Sequence, residues 1–291
     1  MRDIKGTTRV CGLIGNPVEH SVSPVIHNNL AELTDTDMVY TTFKVDKGEV
    51  SDAVKGAYRL NILGMNVTVP HKQEVIDCLI DIDPLAKAIG AVNTLVRVDG
   101  GYKGYNTDIS GLERELIDEG IELSDSKVII LGAGGAARAI AFLCAKRCNQ
   151  EIYLLNRTIE KARDIACAVN SHFNKNAVIP LKLEDYASIP GEGYLVIQTT
   201  SVGLYPHCDD VVIEASDFYK KVSVGVDIIY NPFETKFMKL VKEAGKPAYN
   251  GLKMLLYQGV SAYELWNDLK VSSEDCDYVY RKLLKELGIS E

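Results

Sequence analysis

The chain has 291 residues, 46% hydrophobic and 25% charged, enough apolar material for two globular domains of ordinary size. A formal net charge of −8 argues against a nucleic-acid partner, which would need clustered Lys and Arg to displace phosphate counterions. Seven cysteines make no Cys-x-x-Cys pair and five histidines show no metal-ligand spacing, so neither a disulfide framework nor a metal site is expected.

In chain order, strands are expected at residues 9–14, 39–45, 64–69 and 94–98, with helices at 24–33, 49–60 and 72–79. This alternation is the rhythm of a mainly parallel α/β sheet. A crossing helix at 108–119 and a polar segment at 118–127 lead into a second series. That series comprises strand 128–131, helix 136–148, strand 152–155, helix 160–169 and strands 195–198 and 224–229. Two helices, 251–269 and 273–287, close the chain. The apolar run 128–145 has the length of a membrane span, but it contains Arg138 and the glycines of a turn, so strand, turn and helix fit it better. Cys144 and Cys148 stand four apart on one helix face, as buried apolar residues do. The N-terminal residues do not read as a signal peptide, and a soluble cytoplasmic protein without a membrane partner is expected.

The strand at 128–131 runs straight into Gly132-Ala133-Gly134-Gly135-Ala136-Ala137, a G-x-G-x-x-A pattern opening a helix. Gly132 permits the tight turn, Gly134 lets backbone approach a pyrophosphate, and Ala137 lets helix pack on strand. Free N–H groups and the positive dipole end of the helix suit that anion. An NAD protein usually carries Asp or Glu after the next strand to hold the ribose 2′-hydroxyl. Here Asn156-Arg157-Thr158 stands there, with Lys161 one turn on. The Arg fork and the Lys charge suit a 2′-phosphate, so the residues favour NADP as cofactor.

The first domain carries polar residues at strand ends and helix starts. Ser23 and Pro24 make an ordinary helix start as N-cap and N1, but that role leaves Ser21 unexplained. Two hydroxyls at a helix N-terminus suit a carboxylate. Asn66 and Thr68 point to one face of a strand, and Lys72 follows where a helix is expected, whose dipole would ease loss of its proton. Asn93 ends another loop, and Asp108 stands where a helix begins, with N-cap as its plainest role.

Together these motifs closely resemble the shikimate/quinate dehydrogenase family from Val10 to about Gln258. The carrying segments are Ser-Val-Ser-Pro-Val-Ile-His-Asn (21–28), Asn-Val-Thr-Val-Pro-His-Lys (66–72), Gly-Ala-Val-Asn-Thr (90–94) and Asn-Thr-Asp (106–108). Gly-Ala-Gly-Gly-Ala (132–136), Asn-Arg-Thr (156–158), Asp-Ile-Ile-Tyr-Asn-Pro (227–232) and Asn-Gly-Leu-Lys-Met-Leu-Leu-Tyr-Gln (250–258) complete the set. The resemblance implies an N-terminal α/β substrate domain (1–107 with 246–291), a Rossmann-type NADP domain (108–245) and a cleft between them. It implies NADP-dependent, reversible reduction of 3-dehydroshikimate to shikimate, a step of aromatic amino-acid biosynthesis. Lys72 and Asp108 would form the catalytic pair. Ser21 and Ser23, helped by Tyr230, would hold the substrate carboxylate, and Asn66, Thr68, Asn93, Asp108 and Gln258 the ring hydroxyls. Ile228 and Gly251 would lie near the nicotinamide. Two departures stand out: Ile109-Ser110-Gly111 where Gly-x-Gly is frequent, and Gln198 where Asn is usual. A quinate/shikimate paralogue using NAD or NADP and a non-catalytic NADP-binding sensor are the rival readings. A homodimer is allowed, though nothing in the sequence fixes the oligomeric state.

Overall fold

The computed structural model describes residues 3–289. The chain forms two compact units, one made of the residues up to Gly111 together with those from Leu255, the other spanning Leu112–Met254.

The first unit contains β1 (Arg9–Gly15), α1 (Ser23–Leu33), β2 (Met38–Lys44), α2 (Val50–Arg59), β3 (Gly64–Val67), β4 (Asp81–Ile82), α3 (Pro84–Ile89), β5 (Thr94–Val98) and β6 (Gly101–Tyr105). Their sheet runs β2-β1-β3-β5-β6-β4. β1 pairs parallel with β2 and β3, whereas β5 runs antiparallel to both its neighbours. The order reverses at β1, so the carboxyl ends of β1 and β3 lie where open α/β sheets hold ligands.

Helix α4 (Asp108–Asp118) leads to β7 (Lys127–Leu131), α5 (Gly135–Arg147), β8 (Ile152–Asn156), α6 (Ile159–Phe173), β9 (Val178–Lys182), β10 (Tyr194–Gln198), α7 (Ser216–Lys220), β11 (Val222–Asp227), α8 (Lys236–Glu243) and β12 (Ala248–Asn250). This second sheet is parallel throughout in the order β12-β11-β10-β7-β8-β9. Read from β9, that is the Rossmann order, with its switch point between β7 and β10. β7 and β8 are buried, as the central strands of a sheet covered on both faces must be.

The first unit ends with α9 (Leu252–Asn267), most of which belongs to it, and α10 (Ser273–Glu286). Trp266 fixes α9 on the first sheet. Its Nε1 donates to the Leu95 carbonyl at 2.9 Å. A Cβ on Gly64 would stand 2.1 Å from that nitrogen, so the indole needs a glycine beneath it.

Two expectations change here. The segment after Lys72 is not an α-helix but a turn followed by a short 3₁₀ stretch, Glu74–Cys78. Beyond it the chain is drawn straight along β6: Ile80 N–H donates to the Tyr102 carbonyl, and Leu79 packs where a Cβ on Gly104 would be. Lys72 therefore does not itself open an α-helix. Ser23 is the first residue of α1 rather than its cap, Val22 taking the cap position without a side-chain bond.

α1 also buries a histidine under the site. His27 is fully buried, stacks on Tyr40 at 4.1 Å and tilts against Trp266 at 5.0 Å. Among the described residues neither ring nitrogen has a hydrogen-bond partner within bonding geometry. Burial pushes its pKa down to about 3, the neighbouring Asn66 side chain opposing that only in part. An unfolded His binds a proton near pH 6.5. The folded protein refuses that proton, so stability is full above that value and falls as pH drops from 6.5 toward 3. The loss by pH 4.5 is about 2–3 kcal/mol. Urea unfolding at pH 7 and pH 4.5 should show wild type losing that much more stability than His27→Phe. Equal losses would mean His27 does not carry the effect.

Candidate functional site

In the first unit the polar residues singled out by the sequence form one connected wall. Lys72 Nζ donates to Asp108 Oδ2 at 2.6 Å, with the two side chains 32% and 15% exposed. Asp108 Oδ1 accepts from Asn93 Nδ2 at 2.8 Å. Asn93 Oδ1 accepts from Thr94 Oγ1 at 3.0 Å and from the Thr107 N–H at 2.8 Å. Asn66 Nδ2 donates to Thr94 Oγ1 at 3.2 Å, and Asn66 Oδ1 accepts from the Tyr40 hydroxyl at 2.8 Å. The Ser23 hydroxyl lies against Tyr40 in turn, and Ser21 Oγ donates to Ser23 Oγ at 3.1 Å. The wall thus runs from two serines at the start of α1 to a lysine–carboxylate pair at the start of α4.

Local sequence explains the placement. Asp108 opens α4 behind an Asx turn in which Asn106 Oδ1 accepts the Asp108 N–H at 3.1 Å. Ile109-Ser110-Gly111 does not disturb this start, and Ser110 Oγ donates to the Thr107 carbonyl. Thr68 follows β3 and donates its N–H to the Ile14 carbonyl. Its methyl lies 2.3 Å from where a Cβ on Gly15 would be, so a glycine is needed at the end of β1. Gln258 lies on α9, its Nε2 donating to the Leu255 carbonyl at 2.9 Å rather than to the wall. Gly259 beside it lets α9 approach Ile26 and His27 of α1. Sequence reasoning missed Tyr40 and the linking role of Thr94. Tyr40 is on β2, far from any motif, and only the register of β2 on β1 brings it to the wall.

The second unit holds the glycine turn at its switch point. Gly132 has φ +113°, and a Cβ there would meet Thr199 Oγ1 at 2.7 Å. Both facts require glycine. Gly134 and Gly135 are exposed, with open space where their Cβ atoms would be, and no side chain caps α5. Ala133 and Ala136 are half-buried between them. A backbone cradle with free helix N–H groups fits a dinucleotide pyrophosphate. At the end of β8, Asn156 Nδ2 donates to the Thr158 carbonyl at 2.8 Å and turns the chain into α6. Arg157, Thr158 and Lys161 are exposed around that helix start, and no carboxylate pairs with either cation among the described residues.

Ile228 and Gly251 come together: the Gly251 N–H donates to the Ile229 carbonyl at 3.1 Å, and a Cβ on Gly251 would stand 2.1 Å from the Ile228 carbonyl oxygen. Tyr230, half-buried in the same unit, has its hydroxyl pKa raised by burial. Gln198 is fully buried and ties this region together. Its Nε2 donates to the carbonyls of Thr200 and Val202 and to Asp227 Oδ1, all at 3.2 Å. Asp227 also accepts from the Thr235 hydroxyl and the Ile229 N–H, yet burial still pushes its carboxyl up to about 6.

A Rossmann-type nucleotide-binding unit joined to an α/β unit that carries a lysine–carboxylate pair at its sheet end defines an α/β dinucleotide-binding protein. Two family models match the chain, "Shikimate dehydrogenase substrate binding domain" over residues 13–95 and "Shikimate / quinate 5-dehydrogenase" over residues 115–229. The chain belongs to the shikimate dehydrogenase family. It is 43% identical over 261 residues to a shikimate dehydrogenase (NADP(+)) of Bacillus anthracis, covering 89% of this chain and 92% of that protein. A shikimate 5-dehydrogenase of Thermus thermophilus, solved with NADP(H) and shikimate, superposes with TM-score 0.82 at 30% identity over 94% of this chain and 99% of that one. The Listeria monocytogenes enzyme, solved with shikimate and NAD, gives TM-score 0.88 at 30% identity over 97% and 99%.

Proposed function

We propose that this chain is an NADP-dependent shikimate dehydrogenase that reversibly reduces 3-dehydroshikimate to shikimate. The observation carrying the reading is the 2.6 Å Lys72–Asp108 pair at the end of a wall of hydroxyl and amide groups. In this reading the first unit binds the acid and the second binds NADP. Ser21 and Ser23, with Tyr230, hold the carboxylate. Asn66, Thr68, Asn93, Asp108 and Gln258 hold the ring hydroxyls. The bound cofactor supplies or accepts the hydride. Lys72 Nζ gives a proton to the oxygen that becomes the hydroxyl and takes it back in the reverse direction. Asp108 accepts a hydrogen bond from the Lys72 ammonium and so fixes where its protons point. Gly132, Ala133, Gly134, Gly135 and Ala136 give the pyrophosphate its backbone cradle, and Ile228 and Gly251 form the wall beside the nicotinamide.

Asn156, Arg157, Thr158 and Lys161 favour NADP over NAD. Removing one charge-assisted contact to a 2′-phosphate costs roughly 10- to 100-fold in affinity. Arg157→Ala should raise KM for NADP by that factor, Lys161→Ala by less, and neither should change KM for NAD. Equal changes for both cofactors would assign these residues another role. No described helix is long and apolar enough to cross a membrane. The reading makes this a cytoplasmic enzyme with a small-molecule partner and no nucleic-acid partner, for which a homodimer is allowed. Steady-state rates with shikimate and quinate, each with NADP and NAD, test it. The highest kcat/KM belongs to shikimate with NADP, and a preference for quinate would move the protein to the paralogue reading.

A further inference from the structure

The amide orientations between Asp108 and Asn66 follow from two fixed points. Asp108 is a carboxylate and only accepts, so the Asn93 atom 2.8 Å from it is the amide nitrogen. The Thr107 backbone N–H only donates, so the atom 2.8 Å from it is Asn93 Oδ1. Both constraints agree on one orientation of the Asn93 amide.

Thr94 carries that orientation onward. Its hydroxyl has one proton, which goes to Asn93 Oδ1 at 3.0 Å, an oxygen to which Thr107 Oγ1 also donates at 3.2 Å. The lone pair left on Thr94 Oγ1 faces Asn66 at 3.2 Å, so Asn66 turns its nitrogen toward Thr94. The Asn93 backbone carbonyl, 3.4 Å from the same nitrogen, favours the same choice. Asn66 Oδ1 is thereby left for the Tyr40 hydroxyl at 2.8 Å. Thr94 is fully buried, and the two asparagines it joins are 5% and 2% exposed, so water does not stand in for it. Thr107 Oγ1, 3.0 Å from Thr94 Oγ1, sits over the same junction.

We propose that Thr94 is a positioning residue that relays the orientation of the Asn93 amide to Asn66 and, by bracing Asn93, helps hold Asp108 in place for Lys72. It leaves Asn93 with one amide hydrogen not used within the wall. Without the Thr94 hydroxyl, Asn93 Oδ1 keeps Thr107 but loses one of its three donors, and Asn66 Nδ2 loses an acceptor, so the Asn66 amide gains freedom to turn. The brace on Asn93, and through it on Asp108, is loosened.

This inference rests on the proposed dehydrogenase activity, and the experiment separates the two. Wild type is assayed first with shikimate and NADP; no turnover there would count against the activity itself. With an active wild type, Thr94→Ser and Thr94→Ala are compared, because they share the lost methyl and differ by the hydroxyl. Thr94→Ser is expected to keep kcat within about 2-fold of wild type, and Thr94→Ala to lose roughly 10-fold or more, the scale of one buried hydrogen bond. The Thr94→Ala loss should fall on kcat more than on KM, with a displaced pH–rate profile that Thr94→Ser restores. Thr94→Val, which keeps the shape, should follow Thr94→Ala. Equal kcat values and equal pH profiles for Thr94→Ser and Thr94→Ala, both folded by thermal melt, would overturn the proposal. Should Thr94→Val fail to fold, the Ser and Ala pair still decides it.

Discussion

Lys72→Ala is expected to lower kcat for shikimate oxidation by about 100- to 10,000-fold, the range of a positioned acid–base group, while shikimate binding changes little. The geometry supports so large an effect. Lys72 Nζ is held 2.6 Å from Asp108, and the side chain is one-third exposed, so it reaches a ligand without leaving its partner. Its removal leaves Asp108 with the Asn93 amide still in place, so the wall keeps most of its bonds. The ring hydroxyls would then still be recognised, and the loss falls on the proton step. Lys72→Arg should not rescue it, because a guanidinium does not give up its proton. Steady-state kcat together with shikimate binding by calorimetry measures the split. A near-normal kcat would remove Lys72 from the proton step. Asp108→Asn serves as the companion: a fall in affinity alone would reduce Asp108 to a binding group.

The second large effect is expected at Gly251, where alanine should raise KM for NADP by roughly 10-fold or more and lower stability by about 1–3 kcal/mol, as overpacking does. The added Cβ would fall 2.1 Å from the Ile228 carbonyl oxygen, 2.5 Å from its carbon and 2.8 Å from its Cα. All three are backbone atoms, so no rotamer change relieves the clash. The chain after β11 and the start of α9 must separate, breaking the Gly251 N–H to Ile229 carbonyl bond. Shikimate binding without cofactor should largely survive, since of its proposed holders only Tyr230 lies in the unit of Gly251. Calorimetry with each ligand separately checks this, and full NADP affinity in Gly251→Ala would show that the Ile228–Gly251 contact does not shape the cofactor site.

Much of this arrangement was legible in the sequence because local rules govern it. Gly132 reads as a tight turn after an apolar strand, and its φ of +113° and its closeness to Thr199 are the reason glycine stands there. Arg157 and Lys161 could be placed at a helix start because β8 and α6 have strong periodic patterns. Other elements escaped for identifiable reasons. β6 carries Gly101 and Gly104, which weaken a strand pattern, and Gly104 is small because Leu79 and Val92 occupy its flank. β9 contains Pro180, which reads as a break, and its place at the edge of the sheet is where proline is tolerated. The helix expected after Lys72 failed because pairing with β6 overrode local propensity. Tyr40 and Thr94 escaped because their roles come from sheet neighbours: Tyr40 lies opposite Cys11, and Thr94 opposite Asn66. Pairing between distant strands, unlike a glycine turn, leaves little trace in a single sequence.

The central claim is that the wall ending in Lys72 and Asp108 serves the oxidation of a polyhydroxylated ring acid by NADP. Its most direct test is the absorbance of NADPH on mixing the protein with NADP and shikimate, with Lys72→Ala run beside it. The account predicts steady growth of the NADPH band for wild type and a nearly flat trace for Lys72→Ala. No NADPH formation by a wild type that binds both ligands, or equal rates for the two proteins, would contradict it.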